Sequence, residues 1–117
     1  MTMSSVPRPD ETEPQSPSLA TDPDKAAMAT EVLKAVGHPI RLRIVAALCR
    51  DEELCVSALA ARMEVAQPVI SQQLRILRNR ELVSVSRRNG FAYYRIEQPL
   101  LRKLIRCMEG CDASRSR

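Results

Sequence analysis

Two sets of side chains in this 117-residue chain are spaced for chemistry. Cys107 and Cys111 stand at i and i+4, which on a helix puts both thiols on one face. Lys103 and Arg106 lie close by and favour the thiolate form. Two thiolates on one face suit a soft ligand: arsenite, antimonite, or a soft divalent metal such as cadmium, lead or mercury. A trivalent arsenic centre takes three thiolates. Cys55, or less readily Cys49, from the same or a second chain would complete it. A cysteine pair can instead oxidise, the chemistry of a redox or persulfide sensor. The second set is Gln67, Ser71, Arg75 and Arg78, at i, i+4, i+8 and i+11, with Gln72 beside them. Amides, a hydroxyl and guanidiniums on one helical face suit base edges and phosphates in a DNA major groove. The same spacing also fits an ordinary amphipathic surface helix.

These residues need elements to carry them. Ile70, Leu74 and Leu77 give residues 65–82 a buried stripe opposite the polar one, so a helix is expected there, with Pro68 in its first turn. Ahead of it, Ser57 caps a helix reaching about Met63, and Glu64 to Ala66 make the turn. Two short helices joined by such a turn form a helix-turn-helix, here 57–80. An earlier helix spans about Lys25 to Val36. Asp22 or Asp24 caps it, and Ala29, Val32, Leu33 and Val36 form its apolar face. Gly37 ends it. His38, in the turn before Pro39, is read as the cap of a second helix from Ile40 to Arg50 that buries Ile44, Val45 and Leu48. Asp51 to Glu53 form an acidic turn, and Leu54 to Val56 a short extended piece.

Residues 83–96 read as a hairpin. Asn89-Gly90 joins two strand-like runs and fixes a two-residue turn. That register opposes Arg88 to Phe91, Ser86 to Tyr93, Val85 to Tyr94 and Val83 to Ile96, and puts Val83, Val85, Ala92, Tyr94 and Ile96 on one packing face. Arg87 and Arg88 reach the tip, where they can meet a nucleic-acid backbone. All three aromatics, Phe91, Tyr93 and Tyr94, lie in this hairpin. The final helix, 99–109, carries Leu100, Leu101, Leu104 and Met108, with Ile105 at the edge. A second copy of the chain is the expected cover for it. The fold class is therefore mainly α with a small β-hairpin, a winged helix-turn-helix.

Charge supports a polyanionic partner. Residues 1–24 hold one arginine against five carboxylates, net −4, which leaves +8 on the remainder. Six arginines against one acid, Glu81, fall between Arg75 and Arg95. A basic domain behind an acidic tail suits double-stranded DNA. Residues 1–23 contain five of the eight prolines and are expected to be a disordered tail ahead of a single domain, 24–112. No long apolar run suggests a membrane partner, and no secretory signal is apparent. Cysteines without such a signal point to the cytoplasm, as thiols. No Ser-His-Asp or Cys-His set, phosphate loop or paired-carboxylate cleft stands out, so an enzyme is not expected and no cofactor is required.

The segments GHPIRLRIVAAL, ELCVSALA, VAQPVISQQLRILRNRELV and SRRNGFAYYRI, in this order, resemble the ArsR/SmtB family of bacterial metal-sensing repressors. The resemblance covers Val36 to Ile96. It implies a homodimer paired through the first and last helices, an operator of two-fold symmetry, and repression lifted by an inducer. Arsenic- and cadmium-type members read ELCVCDL where this chain has ELCVSAL, keeping Cys55 but with Ser57 in place of the second cysteine. Zinc-type members use Asp and His on the last helix. Here Gln98, Leu100 and Cys111 stand there, and the one histidine, His38, is elsewhere. The resemblance thus leaves a thiol site rather than a histidine site. A DNA-binding architectural module without an inducer is the alternative of a different class.

Overall fold

The computed structural model describes residues 18–110. Among them are five helices: α1 (Pro23–Val36), α2 (Pro39–Asp51), α3 (Val56–Met63), α4 (Gln67–Asn79) and α5 (Pro99–Met108). Three strands, β1 (Leu54–Cys55), β2 (Val83–Arg88) and β3 (Phe91–Ile96), form one antiparallel sheet in the order β1-β3-β2.

Proline marks the helix starts. Pro23, Pro39, Pro68 and Pro99 each sit in the first two positions of a helix, where a missing N–H costs no intrahelical bond. The side chain of Asp22 accepts from the amides of Asp24 and Lys25 and caps α1. His38 caps α2, its Nδ1 accepting from the Ile40 amide at 3.1 Å and the Arg41 amide at 3.4 Å. The expected capping role of His38 is thus what it performs. Residues 19–21 form a turn leading into Pro23, so the tail expected over 1–23 is ordered at its end; the rest of it lies outside the described residues, as does Cys111.

Ile44, Leu48, Leu59, Ile70, Leu74, Leu77, Leu101 and Ile105 pack together as a core at the meeting of α2, α3, α4 and α5. The stripe Ile70–Leu74–Leu77 is wholly buried, which turns the other side of α4 to solvent. The turn Asn89-Gly90 takes φ of 52° and 82°, left-handed at both residues as a two-residue hairpin requires. The register pairs Arg88 with Phe91, Ser86 with Tyr93, Val85 with Tyr94 and Val83 with Ile96, as expected.

Five expectations are corrected. The hairpin is part of a three-stranded sheet, because Leu54 and Cys55 pair with Tyr94 and Tyr93. Ser57 lies inside α3; Cys55 holds the N-cap position, and no side chain caps that helix. Helix α4 is shorter than residues 65–82, starting at Gln67 and ending at Asn79, with Glu81 in a left-handed turn at φ 60°. The last helix does have a partner in its own chain: Leu101 and Ile105 are buried in the core. Leu100 and Leu104, about a hundred degrees round the helix, are half-buried beside α1. On α1 it is Ala35, not Leu33, that joins Val32 and Val36 inside; Leu33 is 56% exposed.

Candidate nucleic-acid interface

Helix α4 presents Gln67, Ser71, Gln72, Arg75 and Arg78 as exposed side chains on the face away from the core. The turn before it is held from behind. Arg43 Nη2 donates to the carbonyl of Met63 at 2.9 Å, fixing the end of α3. Glu64 takes the left-handed conformation, φ 58°, that reverses the chain between the two helices. Arg62 pairs with Asp51 and ties α3 to α2.

One polar residue of α4 is turned inward. Gln73 Oε1 accepts from Arg41 Nη1 at 2.9 Å, and the Nε of Arg41 donates to the carbonyl of Ala35 near the end of α1. Arg41 therefore links α1, α2 and the exposed helix. Nothing in the local sequence separates Gln73 from its exposed neighbour Gln72 except the helical angle, which puts it next to Leu77 rather than Ser71.

The wing stands beside this face. Arg87 is exposed and makes no ion pair among the described residues. Arg88 is held instead: its Nη1 and Nη2 donate to the two carboxylate oxygens of Glu53 at 3.0 and 2.9 Å. Its guanidinium lies 4.3 Å from the centre of the Tyr93 ring, and Tyr93 in turn meets Phe91, ring to ring at 6.4 Å. The Arg88 hydrogen bond lowers the Glu53 carboxyl below its ordinary value, and the same bond raises Arg88. A free Arg88 at the tip is the sequence expectation; the carboxylate reaches it from 35 residues away, which no local pattern reveals.

The cysteines fall into different surroundings. Cys49 is buried on α2, its thiol 4.0 Å from the carbonyl of Arg102. Cys55 is half-buried at the start of α3, with its sulfur 3.3 Å from the Ser57 hydroxyl. That hydroxyl, and after it the Ala58 amide, lower the thiol below its ordinary value. A cleft lined by Cys55, Ser57, Gln67, Gly90 and Phe91 joins this thiol to the start of α4 and to the wing. Cys107 is exposed near the end of α5. Among the described residues no group of three or more His, Cys, Asp and Glu could hold a metal ion.

Residues 38–85 match the profile of the bacterial regulatory protein, arsR family. A transcriptional repressor SmtB homolog from Synechocystis is 45% identical over 71 residues, covering 61% of this chain and 53% of that one. A biofilm growth-associated repressor from Agrobacterium fabrum is 35% identical over 83 residues, covering 68% of this chain and 70% of that one. The chain belongs to the ArsR/SmtB family. It spans about half the length of the SmtB homolog. Among solved structures, the AntR antimony-specific transcriptional repressor superposes with a TM-score of 0.70 at 25% identity, over 89% of this chain and 90% of that one. These ArsR/SmtB relatives are transcriptional regulators and none is an enzyme. In this family's terms, α3 and α4 are the helix-turn-helix and β2–β3 the wing of a DNA-binding domain. Among the described residues no helix is long and apolar enough to cross a membrane.

Proposed function

We propose that this chain is a cytoplasmic, sequence-specific DNA-binding repressor that acts as a homodimer and leaves its operator when a thiol-reactive inducer binds. The observation that carries the DNA-binding half is the exposed polar face of α4 standing next to an arginine-bearing wing. Gln67, Ser71, Gln72 and Arg75 read base edges; Gln is suited to adenine and Arg to guanine. Arg78 and Arg87 take phosphates, and Arg88 lies at the same edge.

The dimer half rests on the outer faces of α1 and α5. Ala29, Val32, Leu33, Leu100 and Leu104 line one apolar groove, and Met28 and Met108 are more than half exposed. A patch of this kind is matched by itself across a two-fold axis.

The inducer is arsenite or antimonite, or another soft metal, and the site has Cys107 and Cys111 as its core. The AntR structure, described as antimony-specific, and an arsenic resistance regulator from Pseudomonas putida, 34% identical over 65 residues, favour this class. The described part of one chain lacks a three-donor cluster. Cys111 and donors of the second copy must supply the rest, with Cys55 as the next thiol in line and Cys49, buried in the core, behind it.

The test uses reduced protein bound to a duplex enriched from a random library, titrated separately with arsenite, antimonite, cadmium, zinc and inorganic polysulfide. Arsenite or antimonite should release the DNA. The double substitution Cys107→Ser with Cys111→Ser should keep DNA affinity and lose the response. Release of that double mutant at the wild-type arsenite concentration would move the site to Cys55. Release by polysulfide alone, with a crosslink on a non-reducing gel, would make the sensor a redox one. Indifference to all five would leave an architectural module.

A further inference from the structure

The wing arginine is already occupied. Arg88 leaves the end of β2, crosses the central strand β3 over the ring of Tyr93, and reaches Glu53 just before β1 on the far side of the sheet. Both terminal nitrogens bond the two carboxylate oxygens, at 3.0 and 2.9 Å. That is the planar fork with which a guanidinium grips a phosphate. The ring face is against Tyr93, at 4.3 Å, and Nη1 also donates to the Ser86 hydroxyl at 3.2 Å. Both hydrogens of Nη1 and one of Nη2 are thus taken, and the end-on fork is closed to a second oxyanion; the Nε and the other Nη2 hydrogen are outside it. Arg95 is the other cation near Glu53, and its field acts on the same carboxylate.

We propose that Glu53 is a built-in phosphate mimic that masks Arg88, so that the wing meets unselected DNA with Arg87 alone. The carboxylate offers the same two-oxygen edge as a phosphate and stands one residue before β1 of the same sheet: Cys55, two residues on, pairs with Tyr93. A phosphate can take the end-on fork of Arg88 only by displacing Glu53. The pair is exposed and an exposed pair is weak, so the exchange is available, but it cancels the counterion gain of a fresh contact. Glu53 thereby lowers affinity for DNA at large, a determinant of specificity that lies outside the reading helix. This rests on the reading that the wing faces DNA.

The experiment measures binding of the full chain to a 30-base-pair duplex of random sequence as a function of salt. Variants are Arg87→Ala, Arg88→Ala, Glu53→Gln, Glu53→Gln with Arg88→Ala, and Glu52→Gln as a control for charge. Each phosphate contact contributes about 0.9 to the log–log slope. Arg87→Ala should make the slope shallower by about one unit per protomer, and Arg88→Ala should leave it unchanged. Glu53→Gln should steepen it by about one unit per protomer, and adding Arg88→Ala should return it to the wild-type value. Glu53→Ala, checked by thermal unfolding, repeats the test without a hydrogen-bonding side chain. If Glu53→Gln steepens the slope equally with or without Arg88, or Glu52→Gln does as much, the effect is charge alone and the mask is refuted. If Glu53→Gln has no effect while Arg87→Ala does, the wing reading stands and the mask falls. If neither changes the slope, the wing is off the DNA and both fall.

Discussion

The apolar face shared by α1 and α5 yields a prediction whose size can be worked out. Leu33 is the most informative residue because it adds nothing to its own core: it is 56% exposed. That leaves roughly 100 Å² of leucine surface, and at about 25 cal/mol/Å² its complete burial is worth about 2.5 kcal/mol. A two-fold interface buries it twice, so the dimer gains about 5 kcal/mol from this one position. Leu33→Ala keeps the β-carbon and forfeits about 3–4 kcal/mol per dimer, or 10²- to 10³-fold in the dimer dissociation constant. Sedimentation velocity over a dilution series reads this directly. Thermal unfolding of the monomer, at concentrations below dissociation, should move little, because the side chain leaves no cavity. The opposite pattern, an unchanged dimer constant with a monomer destabilised by several degrees, would refute the reasoning and mean that Leu33 packs within its own chain.

Three further outcomes are expected. Gln72→Ala or Arg75→Ala should cost about 1–3 kcal/mol on a selected duplex and little on random DNA, measured by anisotropy on both; equal losses would mark a phosphate contact. The Glu53 carboxyl is held below its ordinary value by Arg88, so its contribution to the wing is complete above the usual glutamate pKa of about 4.3 and is lost as pH falls through the lower folded value. The Gly90 amide shift, followed by NMR from pH 6 to 3, should therefore turn below that value in the wild type and show no such transition in Glu53→Gln. Finally, the Ser57 hydroxyl lowers the Cys55 thiol, so iodoacetamide at neutral pH should label Cys55 well before buried Cys49, and Ser57→Ala should slow that labelling; the rates are read by mass spectrometry.

What the sequence made legible was local. The stripe Ile70–Leu74–Leu77 settles which side of α4 is buried, and Asn89-Gly90 settles every pair of the β2–β3 register, because a two-residue turn leaves no slack. The helix ends were harder. Glu52, Glu64 and Glu81 take left-handed angles that glycine or asparagine would have announced, so the sequence pattern carries α4 on to Leu82. Long-range pairings left no trace at all. Strand β1 is two residues long and finds its partner some forty positions later. The two leucine stripes of α5 look alike in sequence, and only the packing tells which one, Leu101 with Ile105, belongs to its own core. The same holds for polar groups: Arg41 withdraws Gln73 from a row of similar side chains, and Glu53 captures an arginine that the hairpin pattern alone leaves free.

The central claim is that the face of α4 reads DNA sequence. The most direct measurement enriches duplexes from a random library with the reduced full chain, then compares affinity for the enriched sequence with that for shuffled DNA at fixed salt. A two-fold-symmetric sequence bound about 10³-fold or more tighter than shuffled DNA is predicted, with the preference at single base pairs relaxed by Gln72→Ala and by Arg75→Ala. A library that yields no consensus, or a consensus that both substitutions leave intact, would contradict it.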